Sequence, residues 1–77
     1  MRAKMILESI EKTAFSEKLN FKAVYANSYP KDGKDEDNSF ALFTPSATCM
    51  IQVNNPELIG TFKPGEKYYV DFTKAPY

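Results

Sequence analysis

Histidine is missing from this chain altogether. That removes the commonest general base near neutral pH and the commonest metal ligand. Tryptophan is missing too, and Cys49 is the single cysteine. One thiol forms no internal disulfide, so neither a disulfide framework nor an oxidising compartment is implied. Three glycines are too few for a phosphate-cradling loop, and no Walker, Rossmann or Cys-x-x-Cys pattern occurs. Long apolar runs are lacking: the longest near the start, Met5-Ile6-Leu7, is broken by Glu8. That is far too short for a signal-peptide core or a membrane span, which predicts a soluble, cytoplasmic chain with no membrane partner. Nor is there an excess of charge. Ten Lys and Arg balance ten Asp and Glu, which takes away the usual electrostatic basis for binding duplex nucleic acid.

What remains is a chain of 77 residues, 43% hydrophobic and 14% aromatic, rich enough in apolar side chains to fold as one domain. A chain this short buries only ~60% of the surface its unfolded form exposes. Its core is therefore small, and homo-oligomerisation is the expected remedy. Charge is unevenly spread along it. Residues 1–26 carry Arg2, Lys4, Lys12, Lys18 and Lys22 against Glu8, Glu11 and Glu17. Residues 27–46 carry Lys31 and Lys34 against Asp32, Asp35, Glu36 and Asp37. A mildly basic start therefore precedes a mildly acidic middle.

The start of the chain reads two ways. Ala3, Ile6, Leu7, Ile10 and Ala14 follow helical spacing. As a strand, Ala3, Met5 and Leu7 alternate with Lys4, Ile6 and Glu8, and a bulge near Glu8-Ser9 would keep Ile10 inside. Residues 19–25 alternate cleanly, with Leu19, Phe21, Ala23 and Tyr25 on one face and Asn20, Lys22 and Val24 on the other. Residues 27–38 hold Asn, Ser, Pro, Gly and a run of charges, which predicts a mobile charged loop turning at Asp32-Gly33.

A further strand is expected over Ser39–Thr44, ended by Pro45 and joined through Pro45-Ser46 to another in which Ala47, Cys49, Ile51 and Val53 face inward. The run from Asn54 to Thr73 is the most punctuated. Asn55 suits the cap of a short helical turn, Pro56 its first position, and Gly60 its end. Leu58, Ile59 and Phe62 would pack that turn against the core. Pro64-Gly65 then sits at the middle of a tight turn, type II because Gly65 tolerates positive φ. Tyr68, Val70 and Phe72 follow on the inward face, with Tyr69, Asp71 and Thr73 outward.

Few residues suggest chemistry. Cys49 alternates with core positions and reads as a small buried hydrophobe, since nothing adjacent supplies the basic, exposed setting of a reactive thiol. The acidic stretch from Asp32 to Asn38 lacks the oxygen spacing and distal glutamate of an EF-hand. With no nucleophile–base pairing, no catalytic residue, metal site or cofactor is expected. The aromatics are more informative: six Phe and five Tyr. Phe21, Phe40, Phe62, Tyr68 and Phe72 fall on inward positions, whereas Tyr25, Tyr29, Phe43, Tyr69 and Tyr77 are candidates for the surface. Exposed aromatics beside Lys22 and Lys67 would form a stacking platform for single-stranded nucleic acid or hot spots in a protein interface. Zero net charge favours the interface, because nucleic-acid affinity is mostly phosphate neutralisation.

Arg2-Ala3-Lys4, Ala23-Val24-Tyr25, Phe40 with Thr44-Pro45-Ser46, Asn55-Pro56 and the run from Phe62 to Thr73 together resemble small uncharacterised β-rich proteins encoded by tailed bacteriophages. The resemblance spans nearly the whole chain and is strongest from Asn55 onward. It implies a strand over residues 2–11 and brings no activity with it. Ser46-Ala47 departs from the expected Ser-Gly, which bears on the hairpin turn there.

The expectation is a mainly-β protein, a five-stranded antiparallel barrel or strongly curved sheet with one short helical turn near residues 55–60. It acts without catalysis, in the host cytoplasm if phage-encoded, by binding a host or phage protein through an aromatic face. Lys22, Tyr25, Tyr29, Phe43, Lys67 and Tyr69 are the candidate binding residues. The alternatives are a single-stranded nucleic-acid binder and an inhibitor of host defence that sequesters a nucleotide signal between subunits, Lys or Arg meeting phosphate and Tyr stacking on base.

Overall fold

The computed structural model describes residues 1–77 and contains one antiparallel sheet. Its strands are β1 (Arg2–Lys12), β2 (Glu17–Ala23), β3 (Thr48–Val53) and β4 (Lys67–Asp71), in the spatial order β3-β2-β1-β4. β1 and β2 form a hairpin. Thr13 closes it by donating its N–H to the Ser16 carbonyl (2.9 Å) and accepting the Ser16 N–H on Oγ1 (3.0 Å).

The β reading of the start is observed, together with the bulge. Leu7 pairs with Phe21 and Ser9 with Asn20, leaving Glu8 as the extra residue. Before the bulge Ala3, Met5 and Leu7 point inward. After it the parity changes, and Ile10 joins the same face opposite Leu19.

The inner face is small. Ala3, Met5, Leu7, Leu19, Phe21 and Val53 are its buried hydrophobic residues. Phe40, Ala47 and Phe62 come down on them from the connections, and the edge of the Tyr68 ring meets Phe21 at 5.8 Å between centroids. Glu17 lies on this face too, 2% exposed, and its Oε1 accepts the Gly60 N–H at 2.7 Å. That bond ties the segment after β3 back to the foot of β2. It also satisfies a carboxylate that would otherwise be costly to bury.

Several sequence expectations need correction. The sheet is open and four-stranded. A barrel would need its edges to meet, whereas β3 and β4 lie at opposite ends with two strands between them. Ser39–Thr44 is not a fifth strand but a succession of turns and bends. Phe43 takes a left-handed φ of 58° and donates its N–H to the Gly33 carbonyl at 2.7 Å, a conformation no strand accommodates.

No helix forms at residues 55–60. Asn55 does cap, its Oδ1 accepting the Glu57 N–H at 3.0 Å, and its carbonyl accepts the N–H groups of Leu58 and Ile59. Gly60, at φ 84°, stops the turn before a second one can follow. Leu58 and Ile59 stay substantially exposed, as do Ile51 on the edge strand and Phe72 beyond the end of β4, because no layer reaches over them. The expected turn at Pro64-Gly65 is present, with Gly65 at φ 92° and the Glu66 N–H bonded to the Lys63 carbonyl. No helix is long and apolar enough to cross a membrane.

One buried polar side chain organises the long connection between β2 and β3. β2 parts from β1 after Ala23, although β1 continues to Arg2. Asn38, 1% exposed, takes the vacated place. Its Oδ1 accepts the Lys4 N–H at 2.9 Å, and its Nδ2 donates to the Val24 carbonyl at 2.7 Å and to Asp35 Oδ2 at 3.1 Å. Ser39 extends the same edge, exchanging hydrogen bonds with the Arg2 backbone. Replacing Asn38 by Ala orphans a backbone donor and a backbone acceptor inside the protein. The expected loss in urea-unfolding free energy is about 2–4 kcal/mol, against ~0.5 kcal/mol or less for the exposed control substitution Asn54→Ala.

Candidate functional site

The outer face of the sheet gathers most of the candidate residues. Strand pairing sets Thr48, Lys22, Ile6 and Lys67 in one row across all four strands. Lys4 and Tyr69 pair in the next row, and Arg2 and Asp71 in the one beyond. Tyr69 is therefore a diagonal neighbour of Ile6 and stands beside Lys67 along one face of β4. Tyr25 emerges past the end of β2 and lines a shallow depression with Lys4, Asp37 and Asn38. Lys4 also borders a second depression with Lys67 and Tyr69, so it joins the two.

Tyr69 is held from two sides. Its hydroxyl donates to Asp37 Oδ1 at 2.7 Å, and the Arg2 guanidinium lies over its ring with Cζ 4.2 Å from the centroid. Arg2 is itself fixed by a two-pronged pair with Asp71, Nε to Oδ1 at 2.7 Å and a terminal nitrogen to Oδ2 at 3.2 Å. Asp37 is also met by Lys4 Nζ at 3.3 Å. About half of the Tyr69 surface (52%) nevertheless stays open to solvent. An aromatic ring in a fixed position, with a hydroxyl and a cation already placed, loses little conformational entropy on meeting a partner.

The cations around it are mostly engaged. Lys22 reaches Glu8 at 3.0 Å and Lys18 reaches Glu11 at 3.5 Å, besides the Arg2 and Lys4 pairs. Lys67 is the sheet cation with no carboxylate within 4.0 Å. The outer face is thus a mosaic of neutralised pairs rather than a positive track.

Tyr29 and Phe43 lie elsewhere. They pack edge to face in the β2–β3 connection, 6.4 Å between centroids, and the Tyr29 hydroxyl accepts the Ala26 N–H at 3.0 Å. The Phe43 ring lies against Gly33 so closely that a Cβ there would sit 2.6 Å from it. Their interactions serve the connection itself. Four of the six candidate residues therefore share the outer face, and two do not.

Arg2, Lys4, Asp37 and Asp71 were not among the expected site residues. Asp37 reads in the sequence as part of a solvated acidic run, yet that run is largely taken up by local bonds. Asp32 Oδ1 accepts the Lys34 N–H and Asp35 Oδ1 the Asp37 N–H. The basic start and acidic middle carried the available signal, since Lys4–Asp37 joins those two segments. No three His, Cys, Asp or Glu side chains converge to hold a metal ion. Cys49 is a half-buried free thiol among the inner-face residues. The chain matches no protein-family model, no curated protein and no solved structure.

The Tyr69 hydroxyl, and after it Lys4, holds the Asp37 carboxyl below its ordinary value of 3.8, and Arg2 does the same for Asp71. The Asn20 amide and Lys18 lower Glu11 from 4.5. Carboxylates depressed in the folded state take up protons more readily once the chain unfolds. Their stabilisation is complete above about pH 5 and disappears as the pH falls through the folded-state values, below the ordinary carboxylate range. Thermal unfolding followed from pH 7 to pH 2.5 should show this acid limb. Tyr69→Phe, which removes the largest cause acting on Asp37, should make it shallower.

Proposed function

We propose that this is a non-enzymatic accessory protein, encoded by a tailed bacteriophage, that acts by binding a host or phage protein through the outer face of its sheet. The observation that carries this reading is Tyr69, half-exposed yet held through both ring and hydroxyl. Ile6 and Lys67 adjoin it, Tyr25 lines the depression on the other side of Lys4, and Met50, 55% exposed, lies further along the same face. Pre-ordered aromatic residues beside an arginine form the energetic centre of many protein interfaces. The phage origin rests on the sequence resemblance described above.

Binding of single-stranded nucleic acid is less well supported. Its affinity comes mainly from cations free to replace the counterions of phosphates, and here Arg2, Lys4, Lys18 and Lys22 already face carboxylates. The same pairing weakens the case for a sequestered nucleotide.

The test is affinity capture from phage-infected host cells with the wild-type chain and with Tyr69→Ala and Lys67→Glu variants. A partner retained by the wild type should be lost or weakened at least ~10-fold by Tyr69→Ala, a change of about 1.4 kcal/mol or more. Phe43→Ala, outside the face, should retain it. Equal capture by all the variants would sink the proposal. So would salt-sensitive titration of labelled single strands at low ionic strength that disappears with the same substitutions.

A further inference from the structure

The two edges of the sheet are built differently. β4, at one edge, is five residues long and carries Lys67 and Asp71, the charged edge that discourages pairing with another strand. β3, at the other, reads Thr-Cys-Met-Ile-Gln-Val: no charge, no proline and no glycine. Such an edge is a template for strand addition unless something covers it.

The Ala23 N–H donates to the Ala47 carbonyl, and antiparallel pairs alternate from there. That alternation turns the backbone groups of Thr48, Met50 and Gln52 away from β2, toward the open edge. No other element lies along it. Beside it Ile51 is 47% exposed on the inner face. The turn that Gly60 ties to Glu17, opposite Val53, brings Leu58 and Ile59 to the same end of the sheet.

The molecule also exposes too much surface for its mass. A folded monomer of 8.8 kDa is expected to present about 4,800 Å², whereas this chain presents 5948 Å². Its radius of gyration is 14.5 Å, where ~11.5 Å is usual for this length. Part of the excess is the extended segment after Asp71, where every residue is exposed. The excess as a whole is nonetheless larger than the ~800 Å² each partner contributes to a standard interface.

We infer that β3 is an interface strand: two copies of the chain pair their β3 strands antiparallel about a two-fold axis, joining two four-stranded sheets into one of eight. A second copy fits better than a foreign strand for two reasons. A two-fold contact satisfies the same open edge on both molecules at once. An uncharged strand also meets its own copy without setting like charges opposite each other. Met50 on the outer face and Ile51 on the inner face lie nearest the axis, with Leu58 and Ile59 flanking the apolar side. The outer faces of the two copies then form one continuous surface.

Sedimentation equilibrium on the full chain tests this directly. The wild type should sediment at twice 8.8 kDa at micromolar concentration. In amide hydrogen exchange, Thr48, Met50 and Gln52 should be protected in a concentration-dependent way. Met50→Pro removes a donor that points only at the partner, and proline is tolerated where the N–H faces outward on an edge strand. It should raise the dimer dissociation constant at least ~10-fold, since one hydrogen bond is lost from each copy, while the far-ultraviolet circular dichroism of the sheet is retained. Met50→Lys provides the same test by placing like charges near the axis, which keeps the question decidable if the proline variant fails to fold. A wild-type chain still monomeric at ~100 μM, about a hundredfold above the micromolar range in which the dimer should form, would overturn the inference. So would an assembly larger than a dimer, or a dimer indifferent to the foldable variant.

Discussion

β1 is longer than any strand beside it, and the rest of the molecule is arranged around that mismatch. Its eleven residues face seven on β2 and five on β4. Backbone groups left over in the interior must find partners. On the β2 side the Asn38 side chain and Ser39 supply them, with Val24 donating to the Lys4 carbonyl at 2.9 Å. On the β4 side Gly65 and Glu66 exchange hydrogen bonds with Leu7, extending the edge beyond the strand proper. Each long connection is therefore fastened to β1 by hydrogen bonds to its backbone. The remaining course of each follows from where it was caught.

The two faces of the sheet answer different demands. The inner face has few large side chains and only a partial cover, so the buried polar groups of the molecule carry unusual weight. Glu17 and Asn38 are both nearly inaccessible, and every buried side-chain polar atom has a hydrogen-bond partner. The outer face has no cover and is instead ordered by charge. Its carboxylates come from β1, β4 and the β2–β3 connection, so the Lys4–Asp37 and Tyr69–Asp37 contacts also press that connection against the sheet. The rigidity of Tyr69 thus depends on the acidic loop, which links the candidate surface to the segment that Asn38 anchors.

Alternation along the sequence makes much of this arrangement legible. The inward set Leu19, Phe21, Cys49, Val53, Tyr68 and Val70 follows from period-two spacing, and so does the outward placing of Lys22, Lys67 and Tyr69. The helical spacing of Ala3, Leu7 and Ile10 has a plain origin: one bulge shifts a strand's parity and mimics a longer period. Residues 39–44 mislead because Phe40 and Leu42 alternate well, while what decides their conformation is remote. Asn38 is captured by β1 and Phe43 is bent back to Gly33. The exposure of Ile51, Leu58, Ile59 and Phe72 is equally hidden. Periodicity reports which way a side chain points and says nothing of whether anything lies over it. Within the site, Arg2, Lys4, Asp37 and Asp71 carry no local signature because each acquires its meaning from a partner far along the chain.

The strand order also bears on how the chain reaches this state. Only β1 and β2 are joined by a tight turn, so theirs is the one pairing that forms without bringing distant parts of the chain together. β3 can add to β2 only after the long connection has been gathered in. β4 must return past β2 to close on β1, pairing residues as far apart in the sequence as Arg2 and Asp71. The hairpin carrying the bulge is then the natural nucleus. The pairing of β1 with β4 spans the greatest sequence separation in the sheet, so topology rather than any strand's own preference sets the pace of folding.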